Sequence, residues 1–218
     1  MMFQDRAHAA HLLAKALKSY CGTNPLVVAI PRGAVPIAKI VAEELNGALD
    51  IVMTRKLHAP GSPEFAIGAV DETGWTYLAD YASETGATQE YIAREVSAER
   101  ETMRRRRAQY TPGRGPVDAE GRIVIVVDDG LATGATMIAA LHSMRARKPQ
   151  RLICAVPVAS PEALERVRPY ADEVVWLEAP GFFYAVSQFY RIFGQVEDDE
   201  VVALLDSSSE PEREETAV

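Results

Sequence analysis

The sequence predicts an α/β fold with a central, mostly parallel sheet and flanking helices. Short apolar runs at Leu26–Ile30, Ile123–Val127 and Arg151–Val156 are each bounded by turn residues, as in parallel strands covered on both faces. Amphipathic helical patterns alternate with them, which favours βαβ connections. The chain has 218 residues, 48% hydrophobic and 25% charged, enough for one full α/β core.

The elements follow in order. Phe3, Ala7, Ala10, Leu13, Leu17 and Tyr20 form one face of an opening helix that ends near Gly22. Leu26–Ile30 reads as a buried strand and Pro31-Arg32-Gly33-Ala34 as a turn. Val35–Leu45 is a helix with Ile37, Ile40, Val41 and Leu45 inward. Asp50–Thr54 is the second strand, completing a right-handed βαβ unit. Residues 55–65 carry Pro60, Gly61 and Pro63 and read as a loop. Ile67–Val70 and Trp75–Leu78 flank Asp71-Glu72-Thr73-Gly74, a β-hairpin signal. Residues 88–109 form a long charged helix, with Ile92, Val96 and Met103 on one side and Pro112 and Pro116 past its end. After the strand Ile123–Val127 a helix opens at about Thr136. Arg151–Val156 is another strand, and Ser160 caps a helix that has Pro161 at its first position and runs through Arg168. Val174–Leu177 is the last strand. An aromatic loop and a short helix at Asp198–Leu205 close the fold.

These readings give a single domain over residues 1–206, with a flexible hood inserted at about 57–117, a stretch too long for a simple crossover. Residues 207–218 have no apolar face and read as a disordered acidic tail. The net charge of −8 comes from the last 22 residues, which hold nine acidic residues and one arginine; the remaining body has 22 of each sign. A neutral body argues against nucleic acid or a membrane surface as partner. No apolar run approaches a membrane span and the N-terminus lacks a signal-peptide pattern, so the expected location is cytoplasmic. Cys21 and Cys154 show no metal spacing and are expected to stay reduced. His8, His11, His58 and His142 show neither metal nor triad spacing.

The chemistry concentrates at residues 123–136. Five apolar residues run into Asp128 and Asp129 at the end of the strand. Gly130, Ala132, Gly134 and Ala135 then let backbone approach a ligand. Paired carboxylates accept hydrogen bonds from a ribose diol. The hydroxyls of Thr133 and Thr136, with the unpaired amides of the following helix, suit a phosphomonoester. Together they point to a 5-phosphorylated ribose.

This string resembles the phosphoribosyl pyrophosphate (PRPP) signature of the type I phosphoribosyltransferases, and the likeness extends over roughly residues 1–205. It looks closest to a bacterial group of undefined substrate. The resemblance implies the type I phosphoribosyltransferase fold, and transfer of the phosphoribosyl group of PRPP to a nitrogen acceptor, with pyrophosphate released and Mg2+ assisting. It also implies an acceptor that is a small molecule, and a possible homodimer, since dimers are common in that family.

Arg32 and Gly33, in the turn before a helix, resemble the family's pyrophosphate loop, although Ala34 stands where a second glycine is common. Arg55 and Lys56 resemble a basic pair that contacts the pyrophosphate in adenine-type enzymes; alone, such a pair is commonly solvated. Glu72 resembles a glutamate placed near the acceptor base, and could equally be a turn former. Ala132 replaces the aspartate that faces the purine in 6-oxopurine enzymes, so that general base is missing. Phe182 and Phe183 are candidates to stack on a heterocyclic acceptor, with core packing as the plainer role. Arg104–Arg107 read as an ion-paired helix face beside Glu95, Glu99 and Glu101. The rival function is a noncatalytic sensor of PRPP or nucleotide on the same fold. A Rossmann-type binder is disfavoured, since both GxGxxG and GxxxxGK[ST] are absent.

Overall fold

The structure, a computed structural model, describes residues 2–207; the tail expected to be disordered lies, but for Ser207, outside the described residues. In chain order come α1 (Arg6–Ala16), β1 (Leu26–Ala29), α2 (Val35–Leu45), β2 (Ala48–Ile51), β3 (Thr54–Ala59), β4 (Ser62–Asp71), β5 (Thr76–Leu78) and α3 (Gln89–Tyr110). Then follow β6 (Ile123–Val127), α4 (Ala135–Arg145), β7 (Arg151–Val158), α5 (Pro161–Val167), β8 (Glu173–Glu178) and α6 (Asp198–Asp206).

Five strands form an all-parallel sheet in the order β2-β1-β6-β7-β8. Alternate side chains of each strand enter opposite cores. Val27, Ala29, Ile125, Val127, Ile153 and Ala155 pack with α1, α2 and α6. Leu26, Val28, Val124, Val126, Leu152, Cys154 and Val156 pack with α4 and α5. From β1 the chain winds outward to β2, and it later returns through β6 to build the other half. The strand order therefore reverses between β1 and β6. In parallel sheets that reversal opens a crevice at the carboxyl ends of the strands, where ligands bind. The turns after β1 and β6 both open onto it.

The hood differs from its sequence reading. Residues 54–71 are not a loop followed by a strand. They form the antiparallel pair β3–β4, to which β5 adds a third strand. Gly61, at φ +70°, makes the reversal. Pro63 falls where the β3–β4 register shifts, a place where its missing N–H costs no ladder bond. The hairpin at 71–74 forms as expected. The buried Asp71 carboxylate accepts from the Thr73, Gly74 and Trp75 amides, and His142 of α4 reaches its other oxygen at 3.0 Å. Trp75 stacks on His142 at 3.9 Å between ring centroids, fastening the hairpin to the helix that follows β6. Cys21 is exposed, Cys154 is buried, and both are free thiols. Among the described residues no helix is long and apolar enough to cross a membrane.

Candidate functional site

Asp128 and Asp129 leave β6 at the mouth of the crevice, and each has one oxygen already engaged. Asp128 Oδ1 accepts the Asp129 amide at 2.8 Å. Asp129 Oδ2 accepts from Arg6 Nη2 at 3.0 Å and Nε at 3.3 Å. Asp128 Oδ2 and Asp129 Oδ1 have no partner among the described residues. Two adjacent carboxylates thus each offer a free oxygen, the complement of a vicinal diol. Burial pushes the Asp128 carboxyl well above the usual range, and the neighbouring Asp129 charge pushes it further. Burial also raises Asp129, against the pull of the Arg6 guanidinium. Tyr190 donates its hydroxyl to the Asp129 carbonyl at 2.7 Å.

The turn after β1 meets this pair directly. A Cβ added at Gly33 would lie 2.1 Å from Asp129 Oδ2, so glycine is what lets the turn and the carboxylate approach. Beyond Asp129 the chain runs on as a loop that is exposed at its middle. Gly130 is buried, Ala132 and Thr133 are exposed, and Ala135 and Thr136 are half-buried. Gly134 caps α4 at φ +82°, a left-handed conformation that favours glycine, and gives the first amides of α4 no side-chain cap. Ser160 steadies the loop from α5. Its hydroxyl donates to the Ala132 carbonyl at 2.8 Å and accepts from the Ala163 amide at 3.0 Å. The Ser-Pro sequence signals the cap but not the second bond.

Other candidates are placed differently from the expectation. The Arg32 guanidinium reaches Asp198 at 3.4 Å and Glu197 at 3.6 Å, beside the Tyr110 hydroxyl, which donates to Asp198 at 2.5 Å. Arg32 is therefore tied to the start of α6. Arg55 and Lys56 lie inside β3, not at the exit of β2, because the chain turns out of the sheet at Val52-Met53. Strand alternation sends them to opposite faces. Arg55 binds Glu99 of α3 at 2.6 Å, whereas Lys56 is exposed and its charge acts on Asp128.

Glu72 forms a forked pair with Arg107, at 2.6 Å to Nε and 2.8 Å to Nη2, and accepts the Met53 amide at 3.3 Å. Arg107 also donates to the Ile51 carbonyl. The structure gives this carboxylate an anchoring role between hood and sheet. Glu72→Ala is expected to lower stability by about 2 kcal/mol, since it removes the forked partner of a half-buried guanidinium and leaves it the Ile51 carbonyl and, at 3.8 Å, Asp50; an unchanged Tm would contradict that role. Phe183 packs on Phe189, 5.0 Å between centroids, within a cluster that includes Phe3 and Tyr190. Phe182, 71% exposed, meets Tyr184 edge-on. Of the predicted aromatic pair, Phe182 is exposed and Phe183 is partly buried against that cluster.

Residues 3–191 match the phosphoribosyl transferase domain family. Two Mycobacterium tuberculosis proteins, from strains CDC 1551 and H37Rv, each named "Putative phosphoribosyl transferase", are 40% identical over 209 residues. The match takes in 94% of this chain and 46% of each of theirs, so the chain spans about half the length of these curated relatives. A crystal structure of TT1426 from Thermus thermophilus is 47% identical, with a TM-score of 0.80 over 95% of this chain and 99% of that one.

Proposed function

This chain belongs to the phosphoribosyl transferase family, and from that premise we propose that it moves the 5-phosphoribosyl group of PRPP to a nitrogen acceptor, of which a nucleobase is the leading candidate, releasing pyrophosphate. The observation that carries this reading is the pair of free oxygens on Asp128 and Asp129, set between the Gly33 turn and the loop ending at Thr136.

Asp128 and Asp129 orient the ribose diol. The backbone from Gly130 to Ala135 and the hydroxyls of Thr133 and Thr136 receive the 5-phosphate at the start of α4. The turn at Arg32-Gly33 offers amides to the pyrophosphate, and Lys56 faces the growing negative charge of the leaving group. Arg55 supports Lys56 by fixing β3 to α3 through Glu99. Phe182, exposed at 71%, would serve as the stacking surface for the acceptor. Little covalent work falls to the protein; position and fixed charge supply the acceleration.

No group of three or more His, Cys, Asp or Glu able to hold a metal occurs among the described residues. The family resemblance brings Mg2+ with PRPP, where phosphate oxygens and water would be its main ligands. When bound it would supply charge neutralisation at the pyrophosphate, and Asp128 and Asp129 are the carboxylates of this site that would help hold it.

The deciding experiment is pyrophosphate release from PRPP and Mg2+ across a panel of free purines, pyrimidines and small amines. Release with one acceptor class is the expected result and names the substrate. PRPP binding without release on any acceptor would instead support the sensor. The same assay in size-resolved fractions tests the homodimer.

A further inference from the structure

No sequence pattern marks Arg6, yet it holds one of the two carboxylates of the site. It is the first residue of α1, one place after the Asp5 cap. A cation there opposes the positive end of the helix dipole, so local helix preference does not explain it. Its surroundings do. The side chain is 13% exposed. Nε and Nη2 converge on Asp129 Oδ2, and Nη1 donates to the Gly194 carbonyl at 2.6 Å. The guanidinium carbon stands 3.9 Å over the centre of the Phe193 ring. Three hydrogen bonds and a ring against one face fix the orientation of the group.

The object of that fixation is one carboxylate. Asp129 is held at its side chain by Arg6 and at its carbonyl by Tyr190. Tyr190 is in turn bridged to Phe3 beside the start of α1. The beginning and the far end of the domain thus close on the second signature aspartate. A carboxylate is a broad two-fold rotor at its last torsion. Left alone beside Asp128, Asp129 would swing away from its neighbour's charge or take up a proton.

Building on the proposed use of PRPP, we infer that Arg6 is a positioning residue, which locks Asp129 through Oδ2 so that Oδ1 stays turned out for a ribose hydroxyl. Arg6 acts through Asp129, not on the phosphates. Its loss therefore weakens ligands that carry the ribose diol and spares those that lack it.

The test is calorimetric titration of wild type, Arg6→Ala and Arg6→Lys with PRPP–Mg2+ and, separately, with magnesium pyrophosphate. Arg6→Ala is expected to bind PRPP about ten- to fifty-fold more weakly, with pyrophosphate affinity unchanged within two-fold. Arg6→Lys retains the charge but not the fork, so its PRPP affinity falls between the two. Should Arg6→Ala fail to fold, the lysine variant carries the comparison through its selective loss for PRPP. Equal loss for both ligands would reduce Arg6 to a general structural tie, and unchanged PRPP affinity would remove it from the site; either result overturns the inference. Failure of the wild-type protein to bind PRPP would instead overturn the functional reading beneath it.

Discussion

Gly33→Ala is expected to cost about a hundred-fold or more in PRPP affinity while the protein stays folded. The backbone at Gly33 does not demand glycine, since its φ is not in the left-handed region. The new methyl group is the whole perturbation. It would fall 2.1 Å from Asp129 Oδ2 and 3.0 Å from Asp129 Cγ, with Arg6 Nη2 next at 3.3 Å. Ordinary contact begins near 3.4 Å, so either the carboxylate or the turn must move by more than 1 Å. Each of them is assigned to the same ligand, the first to the diol and the second to the pyrophosphate. Overpacking of this kind costs roughly 1–3 kcal/mol of stability, which a domain of this size can bear. Gly115→Ala is the matched control, because a Cβ there meets nothing within 4 Å and its φ is also not left-handed. Titration with PRPP–Mg2+ should separate the two variants by the full effect. If they bind alike, the junction of the β1 and β6 turns is not where PRPP sits.

The contrast between Gly33 and Arg6 shows which parts of the site were legible. Two strong local signals survived folding intact. Ile123–Val127 is β6 to the residue, because a continuous β-branched run with carboxylates at its end has few alternatives. Val35–Leu45 is α2 to the residue, with Pro36 in its first turn and Asn46 closing it in a left-handed conformation. Pro60, Gly61 and Pro63 misled because the same residues punctuate a loop and a tight antiparallel reversal; the pairing of Leu57 with Gly68 decides between them, and nothing local announces it. The side chains moved to new roles were each captured by a distant partner. Glu72 found Arg107, Arg32 found Asp198, and Arg55 found Glu99. Arg6 is of the same kind, 123 residues from the aspartate it holds. Spacing, caps and periodicity hold no information on a contact of that kind. The residues that build the crevice could be read from the sequence, and those that stiffen it could not.

Asp128→Asn should separate stability from function, raising one and removing the other. Burial, then the charge of Asp129, pushes the Asp128 carboxyl well above its ordinary value near 3.8, with Lys56 and Arg6 acting in the opposite sense. The folded protein therefore binds this proton more tightly than the unfolded chain does. The sign follows from linkage: the stabilisation from protonated Asp128 is full below the ordinary value and is lost as pH rises through the raised folded value. Above that point the ionised group burdens the unliganded fold. Asparagine removes the burden and still accepts the Asp129 amide through its side-chain oxygen, where Asp128 Oδ1 does so now. A gain of about 1 kcal/mol, or roughly 3 °C in Tm, is expected at pH 8, and the gain should shrink as the pH is lowered. PRPP reverses the order. Its diol needs the ionised pair, so wild-type affinity should rise with pH as Asp128 gives up its proton, whereas the variant should bind weakly at every pH. Melting both proteins with and without PRPP–Mg2+ reads the two effects together. Saturation at a hundred times Kd adds about 2.7 kcal/mol to the wild type and almost nothing to the variant. A variant that melts lower than the wild type yet keeps the ligand-induced rise would show that Asp128 serves the fold and not the ribose.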